Sequence, residues 1–288
     1  MRLRAWCAAA VLLLHAGAAA PAAVAAAPAR VAYPIEGSAG DVRGEYPEQL
    51  LRRALAYSGA KYAARPARMP MQQRRALLEL EHGGAIDVVW TMTSREREQK
   101  LLPIRIPIDK GLIGWRLLLI RDADLARFES HRDGAALKRL LAVQVRDWPD
   151  LAILRANGFQ AYGSASYDST FPMLLSGRVD YFPRSIGEVW REAARFEGEG
   201  LSVAPSVVLH YPSAIYFFVH KDNHALARDV ERGLEAMLAD GAFDRLFKQF
   251  HDAELARSAL RSRRVVELDN PLLPEQTPLT RKKLWLLD

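Results

Sequence analysis

Hydrophobic positions in this chain recur in two rhythms, short aliphatic or β-branched runs and stretches at helical spacing, which alternate from about residue 31 to residue 250. Val31 to Ile35 is a predicted strand. Tyr46 to Tyr57 carries Leu50, Leu51, Ala54 and Leu55 at helical spacing, with Pro47 tolerated in the first turn. Tyr62 to Ala67 predicts a second strand, Met71 to Glu81 a second helix with Leu77, Leu78 and Leu80 apolar and Arg74 and Arg75 outward, and Ile86 to Trp90 a third, buried strand. This β-α-β-α-β order predicts a parallel sheet with right-handed crossovers.

Pro103 and Pro107 then turn the chain, and Gly114 to Ile120 reads as a long buried strand entering a second unit. A helix within Leu125–Leu141 follows, then a strand from Ala142 to Val145, a turn at Arg146-Asp147-Trp148-Pro149, and a helix from Asp150 to Ala156 stopped by Asn157-Gly158. Phe159 to Tyr162 is the next strand, Ser164 or Ser166 caps a helix running to Leu175, and Val179 to Phe182 follows Gly177. Leu209 to Val219 reads as one strand leading back. Leu226 to Phe250 shows a helical pattern broken at Asp240-Gly241, a helix pair closing the first unit. Beyond a basic stretch at Arg257–Arg264, Pro271, Pro274 and Pro278 predict an irregular strap or tail.

The first 25 residues are a separate object. Arg2 and Arg4 precede the apolar run Ala5–Leu14, and Ala23-Val24-Ala25 offers a small-x-small cleavage site, so residues 1–25 read as a secretory signal peptide. The apolar part falls short of the roughly 20 residues a membrane span needs. Cys7, the single cysteine, would leave with this segment, which excludes disulfides, cysteine nucleophiles and thiolate metal sites from the mature chain. Loss of Arg2 and Arg4 lowers the formal net charge from +6 to +4. The remaining positive charge is dispersed, without the concentrated stripe that nucleic acid requires.

The stretch that points to chemistry is Gly83–Arg97, a buried strand running out into Thr91, Thr93, Arg95 and Arg97. Hydroxyls and planar guanidinium donors at the carboxyl end of a strand suit a carboxylate or another small oxyanion. Tyr33 leaves its own strand toward the same end. No G-x-S-x-G nucleophile turn occurs. His220 and His224 stand four apart but lack an evident third ligand, so neither a metal nor a cofactor is expected.

Gly84-Ala85-Ile86-Asp87-Val88-Val89-Trp90-Thr91-Met92-Thr93 resembles the G-x-x-D-x-x-x-x-x-T segment of family 3 (polar amino acid) solute-binding proteins. Gly177-Arg178-Val179-Asp180 resembles that family's G-R-x-D, and Phe243-Asp244-Arg245-Leu246-Phe247 its late G-x-x-x-x-I segment. The likeness spans roughly residues 31–250. It implies the α/β, two-lobed type 2 periplasmic binding fold, with lobe 1 formed by 26–113 and 217–255, lobe 2 inserted as 114–216, and 256–288 a tail. It also implies a periplasmic, non-enzymatic solute-binding protein that closes on its ligand like a hinged trap, serving an ABC permease or a sensor protein. The less favoured alternative is a dehydratase on the same fold.

By the same resemblance an arginine after Thr93 would clamp a ligand carboxylate. Either Arg95 or Arg97 fits, and spacing to Pro107 favours Arg97. Trp90, Thr91 and Thr93 would stand beside it, with Asp147-Trp148 and Ser166-Tyr167 closing from lobe 2 at helix starts. Where the family places a carboxylate for the ligand ammonium, this chain has Arg184-Ser185. Guanidinium in both lobes predicts a preference for an anion over an ordinary zwitterion.

Overall fold

The alternation of strand and helix patterns produces two lobes in the computed structural model, which describes residues 27–35, 43–59, 61–130 and 133–286. The expected signal peptide lies outside the described residues. Strand β1 (Ala29–Ile35), helix α1 (Glu45–Ala56) and strand β2 (Tyr62–Pro70) form a β-α-β unit in which β1 and β2 are parallel. Helix α1 buries Leu50, Leu51, Ala54 and Leu55 completely or nearly so, each leucine stabilising the lobe by about 1.5–3 kcal/mol. Pro66 and Pro70 are accommodated in β2 because it is an edge strand.

Helix α2 (Gln73–Glu81) packs through Ala76 and Leu80. Leu78, although apolar, is 44% exposed, because so short a helix buries only one narrow stripe. Strand β3 (Val88–Met92) starts two residues later than predicted. Asp87 breaks the ladder there: its N–H donates to the Ala32 carbonyl at 2.8 Å and its carboxylate accepts from the Ala32 N–H at 2.7 Å. Helix α3 (Arg95–Lys100) and strand β4 (Leu101–Ile104), which the prolines led one to read as a turn, come next.

After a tight turn at Leu112–Gly114 the chain enters the second lobe through β5 (Trp115–Arg121). The single helix expected within Leu125–Leu141 is two short ones, α4 (Leu125–Ser130) and α5 (Gly134–Lys138), the second capped by Asp133. Strand β6 (Ala142–Val145), helix α6 (Pro149–Ala156), strand β7 (Ala161–Ser164) and helix α7 (Tyr167–Leu175) follow the predicted order, with Ser166 rather than Ser164 as the cap. Strand β8 (Phe182–Ser185) begins where prediction ended it, since pairing to β5 starts at Phe182.

Helix α8 (Ile186–Arg195) and strand β9 (Leu201–His210) were missed. A signal was present: Ser185 and Glu188 form a capping box at the start of α8. The returning strand is therefore split. Strand β9 ends at His210, Tyr211–Ala214 crosses between lobes, and β10 (Ile215–His220) already pairs with β3, Ile215 opposite Met92 and Tyr216 opposite Thr91. Those two residues, assigned to lobe 2 by sequence, thus sit in the lobe 1 sheet, ordered β3-β10-β4. At the crossing, a Cβ on Gly114 would stand 2.2 Å from the Tyr211 carbonyl oxygen, so only glycine lets the two connections touch.

Helices α9 (His224–Ala239) and α10 (Ala242–Ser258) close lobe 1, and Gly233 of α9 meets the Ala54 carbonyl where any Cβ would clash. The C-terminal segment is more ordered than a proline-rich tail suggests. Strand β11 (Arg264–Glu267) joins the lobe 2 sheet, ordered β11-β9-β5-β8, in parallel with β9. The prolines begin only after it. From there the chain runs back across the hinge: the Asn270 amide donates to the Pro212 carbonyl at 2.8 Å, and the Leu286 N–H donates to the Lys110 carbonyl at 3.1 Å.

Candidate functional site

Ser94 sets the site on the lobe 1 side. Its hydroxyl accepts the Arg97 N–H at 3.2 Å, starting α3 so that Arg97, in the third helical position, turns back along β3. One Arg97 amino group donates to Thr91 Oγ1 at 2.7 Å and to the Met92 carbonyl at 2.6 Å. The other reaches Gln73 Oε1 at 2.9 Å and, across the interlobe space, the Asp147 carbonyl at 3.3 Å. Burial lowers its pKa to about 10, opposed by the charges of Asp150, Glu96 and Asp147, so Arg97 is a cation at neutral pH. Arg95 takes another course. It is exposed and donates to the Pro271 carbonyl of the C-terminal segment at 2.5 Å.

On the lobe 2 side, β5 and β8 each present a fully buried arginine. Arg116 ion-pairs with Asp150 in the first turn of α6 and donates to the Tyr211 hydroxyl at 2.9 Å, which itself donates to Asp150 at 2.5 Å. Arg184 donates to Glu192 at 2.7 and 2.6 Å and lies 3.1 Å from Glu188, while the Tyr167 hydroxyl donates to Glu192 at 2.8 Å. Burial opposes the charge on Arg184, yet Glu188 and Glu192 hold its pKa above the ordinary arginine range. Two guanidinium groups here face three carboxylates. Of these, Arg116, Arg184, Asp150 and Glu188 border the cavity and Glu192 does not, so the arginine charges on this wall are already compensated, which corrects the expectation that Arg184 would make the second lobe an anion site.

Between these walls is a cavity of about 90 Å³ bordered by Trp90, Thr91, Arg97, Trp148 and Arg184 of the predicted residues. Arg43, Gln73, Arg116, Asp150 and Glu188 also border it, and none of these was singled out from sequence. Arg43 leans from lobe 1 over the Tyr167 ring at 4.1 Å and the Trp148 ring at 5.6 Å. A wider groove of about 560 Å³ adjoins the cavity, and Arg97, Trp148 and Pro149 border both.

The remaining predicted residues lie outside the cavity for identifiable reasons. The Tyr33 hydroxyl accepts from Arg52 at 2.9 Å and its ring packs on Trp90. The Thr93 hydroxyl donates to Glu98 at 2.6 Å, and that of Ser185 to the Leu112 carbonyl at 3.1 Å. Ser166 is spent on capping α7, and Tyr167 is buried against Glu192. Asp147 reaches Arg97 only through its carbonyl, its carboxylate lying 3.9 Å from Arg74 on the groove side. Among the described residues, no group of three or more His, Cys, Asp or Glu is arranged to hold a metal ion, and no helix is long and apolar enough to cross a membrane.

No protein-family model matches the chain, and no curated protein sequence matches it. Solved structures do match. A periplasmic binding protein of Salmonella typhimurium with high arginine specificity superimposes with a TM-score of 0.60 at 12% identity, over 78% of this chain and 100% of that one. An ancestral arginine-binding protein bound to arginine gives 0.59 at 17% identity, over 78% and 98%. An ancestral amino acid-binding protein, a precursor of cyclohexadienyl dehydratase, gives 0.55 at 16% identity, over 78% and 96%. The chain has the two-lobed fold of type 2 periplasmic binding proteins.

Proposed function

We propose that this chain captures a small carboxylate-bearing solute between its lobes, and that the solute is dipolar, carrying a cationic group as well. The observation behind this reading is the contrast between the two cavity walls, a guanidinium group held by neutral oxygens on one and arginines already met by carboxylates on the other. Arg97 supplies a buried cation whose partners are all neutral oxygens, so a ligand carboxylate exchanging with Gln73 and the Asp147 carbonyl gains a charge-assisted bond in their place. Opposite it, Glu188 borders the cavity with side-chain exposure of 18%, the most accessible of the three lobe 2 carboxylates, and an ammonium group there meets an opposite charge. Trp90 and Trp148 cover the apolar parts of such a ligand.

Closure by hinge motion at Leu112–Gly114 and Tyr211–Ala214 is the mechanism that goes with this fold, and amino acid binding by its structural neighbours supports the ligand class. On the same grounds we place the mature protein in the periplasm, delivering its ligand to an ABC permease or a sensor protein. Thermal unfolding with a panel of amino acids, dicarboxylates, peptides and sugar acids tests the reading. A ligand at a hundredfold excess over its dissociation constant adds about 2.7 kcal/mol of stability, and for a free amino acid Arg97→Ala is expected to abolish the shift while Arg95→Ala keeps it. The dehydratase alternative, which the third neighbour keeps in view, requires the ligand to be altered. Recovery of the bound solute unchanged rejects it.

A further inference from the structure

The cavity that holds Arg97 is too small for a whole ligand of ordinary size. At about 90 Å³ it falls well below the roughly 300–1,000 Å³ typical of small-molecule sites, whereas the adjoining groove, at about 560 Å³, falls inside that range. The two spaces meet along Arg97, Trp148 and Pro149, so a molecule whose head group sits in the cavity can extend into the groove past the Trp148 ring. The chemistry of the groove differs from that of the cavity. Its floor is apolar, made by Leu77 and the 44%-exposed Leu78 of α2, with Leu272 of the C-terminal segment at one end. Cations dominate its rim: Arg74, Arg95, Arg97, Lys100 and Arg146 against Glu81, Glu96 and Asp147. Several of these are paired, Lys100 with Glu96 at 2.8 Å and Arg74 near Asp147 at 3.9 Å, and with Arg97 reserved for the head group the remaining cations exceed the acids by one.

We infer that the groove is a second subsite for the same ligand, receiving a distal arm that is apolar along its length and ends in an anion. The solute is then an elongated amphipathic acid, such as a side-chain-conjugated amino acid or short acidic peptide, rather than a free small amino acid. An exposed leucine ringed by guanidinium groups is what such an arm requires: the floor removes its apolar surface from water, and the rim meets its terminal carboxylate. The C-terminal segment completes the subsite, since Arg95 is fixed at the groove edge by the Pro271 carbonyl and by the bond from its own N–H to the Leu272 carbonyl at 3.0 Å.

This inference rests on the head-group reading above, and the test separates the two. Affinities of the full chain for glutamine and for γ-glutamyl-leucine are compared by calorimetry, since both carry the same α-amino acid head and γ-amide and only the second has an apolar, anionic arm. At least a tenfold preference for γ-glutamyl-leucine is expected. Leu78→Glu and Arg146→Glu, both at exposed positions and checked for unchanged unfolding temperature, are each expected to erase that preference while leaving glutamine within twofold. Equal affinity of the two probes, or a preference that survives both substitutions, overturns the second subsite. Failure of both probes to bind, or binding that persists in Arg97→Ala, overturns the head-group reading and the subsite with it.

Discussion

Arg97 and Arg184 are both buried arginines on facing walls of one cavity, yet they are held in opposite ways. Arg184 is locked to Glu192 by paired hydrogen bonds and to Glu188 at 3.1 Å, so its charge is already answered by the protein. Arg97 is surrounded by a hydroxyl, an amide oxygen and two backbone carbonyls, which satisfy its geometry without cancelling its charge. A guanidinium group near a cleft is thus no measure of anion affinity by itself. What decides is whether its acceptors carry a compensating charge, because a ligand carboxylate displaces neutral acceptors far more readily than it competes with a buried carboxylate.

The comparison is broken most forcefully by removing the locked arginine. Arg184→Met strands Glu192 and Glu188 without their partner, and a loss of about 3–5 kcal/mol is expected in urea unfolding. Arg97→Ala should do the reverse, costing only about 1–2 kcal/mol of stability while removing about 2–5 kcal/mol of ligand binding. A similar stability loss in both variants would erase the distinction.

Asp109 extends the contrast to a buried acid near the hinge whose carboxylate accepts from backbone N–H groups. It accepts the Ile113 N–H at 2.6 Å and the Gly111 N–H at 3.2 Å, and burial pushes its pKa up from 3.8 to about 6 despite those bonds. The folded state therefore favours the protonated acid. Its contribution is fully present below about pH 4 and is lost as pH rises through about 6, a difference on the order of 2–3 kcal/mol. Unfolding free energies measured from pH 4 to 7 should show this decline in the parent protein and lose it in Asp109→Asn. Smaller still is the effect of Glu188→Gln, expected to weaken a dipolar ligand about tenfold and to leave the same acid without its ammonium group unaffected. Arg95→Ala, at an exposed position, should change stability by less than about 0.5 kcal/mol.

Much of the lobe 1 half of the site was legible because its residues are neighbours in the chain. Thr91 and Arg97 stand six positions apart on a strand and the helix it feeds, and Trp90 precedes them. The lobe 2 half was not. Arg116 reads as one polar residue in an apolar strand, and its partner Asp150 as an ordinary first-turn helix charge. Glu188 had a readable capping role, but nothing local says that its carboxylate also borders a cavity. Gln73 carried no signal at all. The choice between Arg95 and Arg97 turned on the Ser94 cap, a two-residue difference in where the helix begins.

Periodicity alone determined that strands and helices alternate through two α/β units, since the burial of one face is written at a spacing of two or about 3.6 residues. Pairings between residues far apart in the chain belonged to the tertiary structure. It alone decided that β11 would extend the second sheet, that the returning strand would break at Tyr211–Ala214, and that Arg184 would meet Glu192 while Arg97 met neutral oxygens. The reason is physical: charge compensation depends on distance in space and on exclusion of water, and neither quantity exists until the lobes have packed.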